Sequence, residues 1–175
     1  ANTPVKTLAR VVGQAAAEHL YELSWGRDPR TVTPNQAEKS IGAERTFESD
    51  IDDPEEILAQ ILDLSNKVAK RLRAANYFSR TITIKVRFAD FTSVTRSKSL
   101  PSSTDLATDI YATSKSLFEA MHLQRARIRL VGVRATGLVP TSESSVQLEF
   151  SNRDSGWREA EEAMDQVSLK FGNSA

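Results

Sequence analysis

The feature that most constrains the fold is the strict alternation of apolar and polar residues in "TITIKVRF", Thr81–Phe88. In an extended chain this period of two separates two sets of side chains, the apolar Ile82, Ile84, Val86 and Phe88 and the polar Thr81, Thr83, Lys85 and Arg87. The pattern predicts a strand with one face on a core and the other face free. The chain is therefore expected to build a sheet that is covered on one side only.

The neighbouring segments predict an α+β domain with the order β-α-β-β-α-β. The predicted strands are "EKSIGAERTFES", "TITIKVRF", "TSVTRSKSL" and "RARIRLVGVRATGLV", and the second and third form a hairpin around Ala89–Phe91. Pro101 is expected to end the pairing of the third strand, because proline donates no backbone hydrogen bond. Two helices on one face of a four-stranded, largely antiparallel sheet bury both helical stripes and leave the other face open.

Both helices of this domain show apolar residues at helical spacing. The first follows "DIDDPEE", where Asp53 is a suitable cap, Pro54 takes the first turn and Glu56 completes a capping box. The second is predicted from about Asp105 to Met121. The residues expected to face the core are Ile57, Ile61, Leu64, Val68 and Leu72 in the first helix and Leu106, Ile110, Leu117 and Met121 in the second.

Further helices are predicted on both sides of this domain. Residues 4–24 form one helix with an apolar stripe, which Thr3 caps and Pro4 begins. A linker with two prolines follows, and a boundary is expected near Val32–Gln36. The C-terminal helix begins near Gly156, ends at Gly172 and carries a stripe of Trp157, Ala160, Met164, Val167 and Phe171. The sequence leaves open whether this stripe docks on the same chain or on another protein.

The composition argues against several classes of function. The chain has no cysteine, which excludes disulfides and thiolate metal sites, and its two histidines, His19 and His122, are far apart. A zinc site or a catalytic triad is therefore not expected. No apolar run approaches the roughly 18 residues of a membrane span, and no signal peptide is recognisable, so a cytoplasmic protein without a membrane partner is predicted.

The zero net charge is unevenly distributed along the chain. Residues 1–35 carry four Lys/Arg and three Asp/Glu, residues 36–139 carry sixteen and thirteen, and residues 140–175 carry three and seven. The mildly basic middle and the acidic tail are expected to meet different partners.

The free face of the sheet is predicted to be basic and rich in hydroxyl groups. Residues 78–99 and 125–134 contain one acid, Asp90, and nine basic residues: Arg80, Lys85, Arg87, Arg96, Lys98, Arg125, Arg127, Arg129 and Arg134. Serines and threonines lie between them, and such hydroxyls with Arg, Lys and backbone N–H groups are the usual donors to phosphate oxygens. Because no aromatic residue is obvious on this face, the pattern favours a duplex backbone over stacked single-stranded bases. A merely solvated face is the alternative, and residues 92–100 alternate too weakly to show which of them face outwards.

Several of these segments together resemble a known family. The opening Lys39-Ser40-Ile41-Gly42, the hairpin "TITIKVRFADFTSVTRSKSLPSSTD" and the strand "RLVGVRATGLV" are similar to the little finger domain of Y-family DNA polymerases of the bacterial polymerase IV type. Upstream, "VVGQAAAEHLYELSWGRDPRTV" resembles the last thumb helix and the linker. "QLEF" and "WREAEEAMDQVSLKFG" resemble tails of actinobacterial members. The domains implied are a partial thumb at 1–25, a linker at 26–36, the little finger at 37–139, a tail at 140–155 and a helix at 156–172.

The resemblance implies that the parent enzyme performs lesion-bypass DNA synthesis in the bacterial cytoplasm, at the nucleoid. It implies that this chain is a non-catalytic C-terminal fragment, with no cofactor of its own, because the Mg²⁺-binding carboxylates of the family lie in a palm that precedes the thumb. The expected partner is primer–template duplex DNA. The residues expected to contact it are Lys39, Ser40, Gly42, Arg45, Lys85, Arg87, Thr95, Arg96, Ser97 and Lys98.

The tail contains a second candidate site, Gln147-Leu148-Glu149-Phe150. It resembles the short motif by which bacterial polymerases hold the β sliding clamp. An extended segment would place Leu148 and Phe150 in an apolar pocket of the clamp, while the amide of Gln147 forms hydrogen bonds at its edge. The alternative is a strand or a staple, with Phe150 packed on the C-terminal helix.

Two other functions are considered for the chain. The chain could be a protein–protein adaptor with a ferredoxin-like core, in which the basic face serves only solubility. It could also be a small nuclease with Asp50, Asp52 and Asp53 as a two-metal cluster. Acids at the cap and first turn of a helix explain the same aspartates, because the helix dipole favours them there.

Overall fold

A computed structural model describes residues 1–33, 38–123, 126–142 and 154–172 of the 175-residue chain. The chain divides into two compact units, Ala1–Ala37 and Glu38–Ala175. The finer divisions expected from the sequence, the partial thumb, the linker and the tail, stay predictions.

The first unit contains two helices, α1 (Val5–Val12) and α2 (Gln14–Ser24). The prediction of one continuous helix over 4–24 is wrong. Gly13 interrupts it with a φ of 85° and a ψ of 157°, a conformation that glycine adopts readily because it has no Cβ. Pro4 occupies the cap position of α1 rather than its first turn, so the expected cap by Thr3 is also wrong.

The second unit has the predicted order of elements, including the predicted C-terminal helix, which begins two residues earlier and ends one residue earlier than expected. Its elements are β1 (Ser40–Ile51), α3 (Pro54–Ala74), β2 (Tyr77–Phe88), β3 (Ser93–Thr104), α4 (Ala107–Glu119), β4 (Ile128–Pro140) and α5 (Asp154–Phe171). The four strands form an antiparallel sheet in the order β1-β4-β2-β3. The predicted α+β class and sheet are confirmed.

The core lies between one face of the sheet and the helices α3 and α4. All five residues predicted to face inwards from α3 are buried, and so are three of the four predicted from β2: Ile57, Ile61, Leu64, Val68, Leu72, Ile82, Ile84 and Val86. The fourth, Phe88 at the end of β2, is only partly buried. In α4, Leu106 precedes the first turn and is buried with Ile110, while Leu117 and Met121 are only partly buried. Phe118, which the sequence did not single out, is buried in their place.

Helix α3 begins at a cap that the sequence predicted. The carboxylate of Asp53 accepts a hydrogen bond of 2.9 Å from the backbone N–H of Glu55, and Pro54 occupies the first turn. The capped N–H is one residue earlier than the capping box requires. The acids of the first turn and the arginines of the last turn both interact favourably with the helix dipole.

Strand β3 continues past Pro101 to Thr104, so the prediction that this proline ends the pairing is wrong. The register passes from Thr81 opposite Ser99 to Ser79 opposite Thr104. Pro101 therefore lies in an irregular stretch at the edge of the sheet. Its missing N–H does not interrupt the hydrogen bonds between β2 and β3 there.

Helix α5 docks on this unit through its polar side. Arg73 of α3 donates a 2.8 Å hydrogen bond to Asp165 and another to Glu161. Arg158 donates one of 3.1 Å to Asp105, which is 1% exposed. Burial raises the pKa of Asp105, and the nearby charge of Arg158 opposes this rise. The apolar residues Trp157, Met164, Val167 and Phe171 are left exposed.

No helix in the described part of the chain is both long and apolar enough to cross a membrane.

Candidate nucleic-acid interface

The register of the sheet defines its uncovered side. Residues that pair across antiparallel strands share a face, so the partners of the polar residues in β2 lie on the same side as these residues. In β3 these partners are Ser99, Ser97, Thr95 and Ser93, opposite Thr81, Thr83, Lys85 and Arg87. In β4 they include Thr136, Arg134 and Gly132, which pair in turn with Ser40, Gly42 and Glu44 of β1. These fourteen residues are called the open face below.

The orientation of β3, which the sequence left open, follows from this register. Arg96 and Lys98 pair with Ile84 and Ile82, so their side chains leave the sheet on the helix side. Both are exposed, because β3 is an edge strand that the helices do not cover at these positions. Their contacts with phosphate stay predictions. Such contacts would be made by Arg96 and Lys98 at the outer edge of β3, called the rim below, and not on the open face.

The prediction of nine cations on one face is wrong. Lys85, Arg87 and Arg134 lie on the open face. Arg127 and Arg129 form ion pairs with Asp50, and Arg125 lies outside the described residues. The alternation in the sequence could not show this, since β4 and the edge strands are irregular near their ends.

Arg45 also lies away from the open face. It pairs with Val131 in the sheet and donates a 3.0 Å hydrogen bond to the side chain of Gln60 in α3. Lys39 is exposed immediately before β1. A phosphate contact of either residue stays a prediction.

Small hydroxyl side chains cover the β2–β3 half of the open face. Thr81 and Ser99 lie 3.0 Å apart through their hydroxyl oxygens, and Thr83 and Ser97 lie 2.9 Å apart. Each hydroxyl has two lone pairs and one hydrogen, so a pair can keep its mutual bond and still offer an acceptor or a donor outwards. These pairs present a row of short polar groups that lets another backbone approach closely.

Two glycines shape the β1–β4 half of the open face. A Cβ atom on Gly132 would lie 3.0 Å from Cβ of Glu44, and one on Gly42 would lie 3.2 Å from the carbonyl oxygen of Val133. A side chain at either position would therefore be tightly packed against β1 or β4. The two glycines form the floor of a shallow depression whose walls include Ser40, Thr83, Thr95 and Arg134.

An acidic residue that the charge count did not include also lies on this surface. Glu44 is 3.1 Å from the ammonium of Lys85, and both side chains are partly exposed. Exposed pairs of this kind contribute about 0–1 kcal/mol, so a phosphate group could displace the carboxylate at small cost. The ion pair keeps the ammonium of Lys85 beside the depression, but it is weak enough to be exchanged for a phosphate.

Sequence analysis counted Arg134 among the basic residues of the free face but left it out of the residues expected to contact DNA. Its position could have been found from the segment "VGVRAT", in which Gly132, Arg134 and Thr136 alternate with Val131 and two other apolar residues. The register with Thr83 and Gly42 places it near the middle of the open face.

The three aspartates considered as a metal cluster do not gather into one. Asp53 caps α3, whereas Asp50 accepts hydrogen bonds of 2.9 and 3.3 Å from Arg129. The bond from Arg129 lowers the pKa of Asp50 below its ordinary value. Within the described ranges, no three acidic or histidine side chains are placed to hold a metal ion. The arrangement therefore gives no support to a two-metal nuclease.

The clamp motif Gln147, Leu148 and Phe150 falls within 143–153, outside the described residues.

The geometry defines a class of domain, an antiparallel sheet with helices on one side and a polar, partly cationic surface on the other. Residues 38–150 match the impB/mucB/samB family C-terminal domain, and the chain belongs to this family. It corresponds to the little finger region of Y-family DNA polymerases of the polymerase IV type.

Curated relatives support this assignment. DNA polymerase IV of Desulfatibacillum aliphaticivorans is 35% identical over 158 residues, which cover 89% of this chain and 40% of the relative. DNA polymerase IV of Brucella melitensis is 34% identical over 90% of this chain and 35% of its own length. The chain thus spans well under half of these relatives. They come from distant groups of bacteria, and the actinobacterial origin suggested by the tail stays a prediction.

Solved structures confirm the fold. A chimaera of two Y-family DNA polymerases superposes with a TM-score of 0.57 at 19% identity, covering 79% of this chain and 39% of that one. The Dbh DNA polymerase in an insertion ternary complex gives a TM-score of 0.53 at 18% identity over 79% of this chain and 39% of its own.

Proposed function

We propose that this chain is a DNA-holding part of a translesion DNA polymerase and that its open face lies along the backbone of primer–template duplex. The observation that carries the proposal is the open face itself. It places hydroxyl groups, three cations and a glycine-floored depression on the side of the sheet that the helices leave uncovered.

The chemistry of this surface suits phosphates better than base edges. Lys85, Arg87 and Arg134 are distributed over β2 and β4, and the short hydroxyls between them allow a backbone to come close. Most hydrogen bonds from proteins to DNA go to phosphate and sugar, and these fix position without reading sequence. Arg96 and Lys98 extend the cationic surface around the edge of β3. Binding should therefore depend on charge and duplex shape.

Polymerase activity belongs to the parent enzyme in this proposal. The relatives are named DNA polymerase IV, and this chain corresponds to 40% of the first of them. Asp50 and Asp53 of this chain are engaged in structural contacts, an ion pair with Arg129 and the cap of α3. We propose that the metal-binding carboxylates lie in the palm of the parent, which acts on DNA in the bacterial cytoplasm, at the nucleoid.

A fluorescence titration of the chain with labelled primer–template duplex tests the proposed function. Three or four phosphate contacts should give a plot of log Kobs against log salt with a slope of about −3, because each contact contributes about −0.9. Duplexes of unrelated sequence should bind equally well. Absence of binding at low salt, or binding that does not change with salt, would contradict the proposal and favour the adaptor.

The adaptor alternative has one observation in its favour. The apolar residues Trp157, Met164 and Phe171 of α5 are exposed on a helix whose polar side is already held. A protein partner could cover them. This surface belongs to α5 and leaves the open face available to DNA, so the two functions do not exclude each other.

The proposal includes the β sliding clamp as a second partner, bound through Gln147-Phe150. Replacing Leu148 and Phe150 together by alanine should weaken clamp binding at least a hundredfold, because each buried side chain contributes about 1.5–3 kcal/mol. Surface plasmon resonance on immobilised clamp measures the effect.

The control is Glu149→Ala in the same segment, which should retain most of the affinity because its side chain is not assigned to the pocket. Duplex binding should be the same in both variants. Clamp affinity that survives the double substitution would exclude this motif as the binding segment.

A further inference from the structure

An exposed aromatic ring at one end of the sheet is not explained by the fold or by backbone binding. Phe91 lies in the turn of the β2–β3 hairpin, is 66% exposed and has a φ of 66°. Bulky residues rarely adopt this left-handed conformation. The turn holds it there, since the N–H of Phe91 donates to the carbonyl of Phe88 at 3.0 Å and the carboxylate of Asp90 accepts from the N–H of Thr92 at 2.9 Å.

A cation lies against one face of this ring. The guanidinium carbon of Arg129 is 4.6 Å from the centroid of the Phe91 ring. Arg129 is the extra residue of a β-bulge, because the register passes from Arg87 opposite Leu130 to Phe88 opposite Ile128. Asp50 then fixes the guanidinium through hydrogen bonds of 2.9 and 3.3 Å. A turn and a bulge thus bring together two side chains that regular strands would keep apart.

The surroundings of the ring are polar and carry charges of both signs, because Asp90 precedes the ring and Asp50 pairs with the nearby arginines. Arg127 lies 3.4 Å from Asp50 and is 71% exposed. Arg87 and Ser93, which share a hydrogen bond of 3.2 Å, form the end of the open face nearest to the turn. Among the described residues here, an apolar side chain of a protein partner would find little besides the ring itself to pack on. A flat aromatic group that carries a phosphate would find a ring to stack on and a cation beside it.

We infer that Phe91, backed by Arg129, is a stacking platform for an unpaired nucleobase that continues from a duplex on the open face, with Arg127 beside the phosphate of that nucleotide. The inference rests on the proposed function, because the open face must first hold the duplex. Bases inside a duplex are already stacked on both sides, whereas an unpaired base beside the duplex can turn a whole face to the ring. The chain should therefore prefer DNA in which a single-stranded overhang adjoins the duplex.

The test compares a blunt duplex with the same duplex carrying a template overhang. The first unpaired base is 2-aminopurine, whose fluorescence reports stacking. The wild-type chain should bind the overhang DNA about tenfold more tightly than the blunt duplex, and the fluorescence should change on binding. Phe91→Ala should remove both the preference and the fluorescence change while leaving affinity for the blunt duplex unaltered.

Two matched variants distinguish stacking on an aromatic ring from contact with any apolar side chain of similar size. Phe91→Trp should keep the preference, whereas Phe91→Leu, which retains an apolar side chain without an aromatic face, should lose it. A preference that survives in the alanine and leucine variants, or an equal loss of affinity for both DNAs, would overturn the platform. A wild-type chain that binds both DNAs equally would overturn the platform but support the proposed function. Failure to bind even the blunt duplex at low salt would overturn the proposed function itself.

Discussion

Replacing Arg87 and Arg134 by glutamate is expected to weaken duplex binding about a hundredfold at low salt. Both side chains lie on the open face, on β2 and on the central strand β4. The substitutions remove two cations and add two repelling charges. The slope of log Kobs against log salt concentration should therefore fall by about 2 in magnitude. Fluorescence anisotropy over a series of salt concentrations measures both quantities.

The matched control is the double variant Arg96→Glu with Lys98→Glu. It makes the same change in net charge, but its residues lie on the helix side of β3, opposite Ile84 and Ile82. Only a smaller loss is expected, from rim contacts and long-range repulsion. Equal losses in the two variants would show that net charge alone governs binding, and a larger loss in the control would move the contact surface to the rim.

Replacing Arg73 by alanine is expected to destabilise the second unit by about 3 kcal/mol, because it removes the cation from a largely buried cluster and leaves two carboxylates without their partner. Arg73 donates hydrogen bonds to Glu161, Asp165 and the carbonyl of Asp105. It is thus the residue of α3 that fastens α5 to the domain. Urea unfolding of the variant and the wild-type chain measures the difference.

Lys67→Ala on the same helix provides the comparison. Lys67 forms a 2.7 Å ion pair with Asp63 at a spacing of four residues, and both side chains are exposed. Its loss should cost less than about 0.5 kcal/mol, as is usual for exposed helical pairs. Equal stability of the two variants would contradict this account, because the ion pairs of Arg73 with α5 would then contribute no more than an exposed pair.

The sequence predicted the elements whose pattern reflects burial. In β2 and α3 one side of each element meets the core, so apolar residues had to recur every two residues in the strand and every three or four in the helix. The structure buries Ile84 and Ile61 as these periods require. The order of elements and the open side of the sheet followed from the same constraint.

The features that the sequence did not predict are those that burial does not determine. Most residues of the edge strand β3 are exposed whichever face they lie on, so β3 shows no clear alternation. The orientation of Arg96 became known only from its partner Ile84. The break at Gly13 depends on a single backbone conformation within an otherwise regular stripe. In α5, partly buried ion pairs with Arg73 and Asp105 orient the helix, and its apolar stripe is left exposed.

The most direct test of the central claim is to map the DNA-contacting residues by NMR. An isotope-labelled chain is titrated with a blunt duplex of about a dozen base pairs, and amide shifts are followed at each residue. The largest changes should occur on the open face, at Gly42, Thr83, Ser97 and Arg134, while α3 and α4 remain unaffected. Changes confined to the helices, with these four residues unperturbed, would show that the DNA does not lie on the open face.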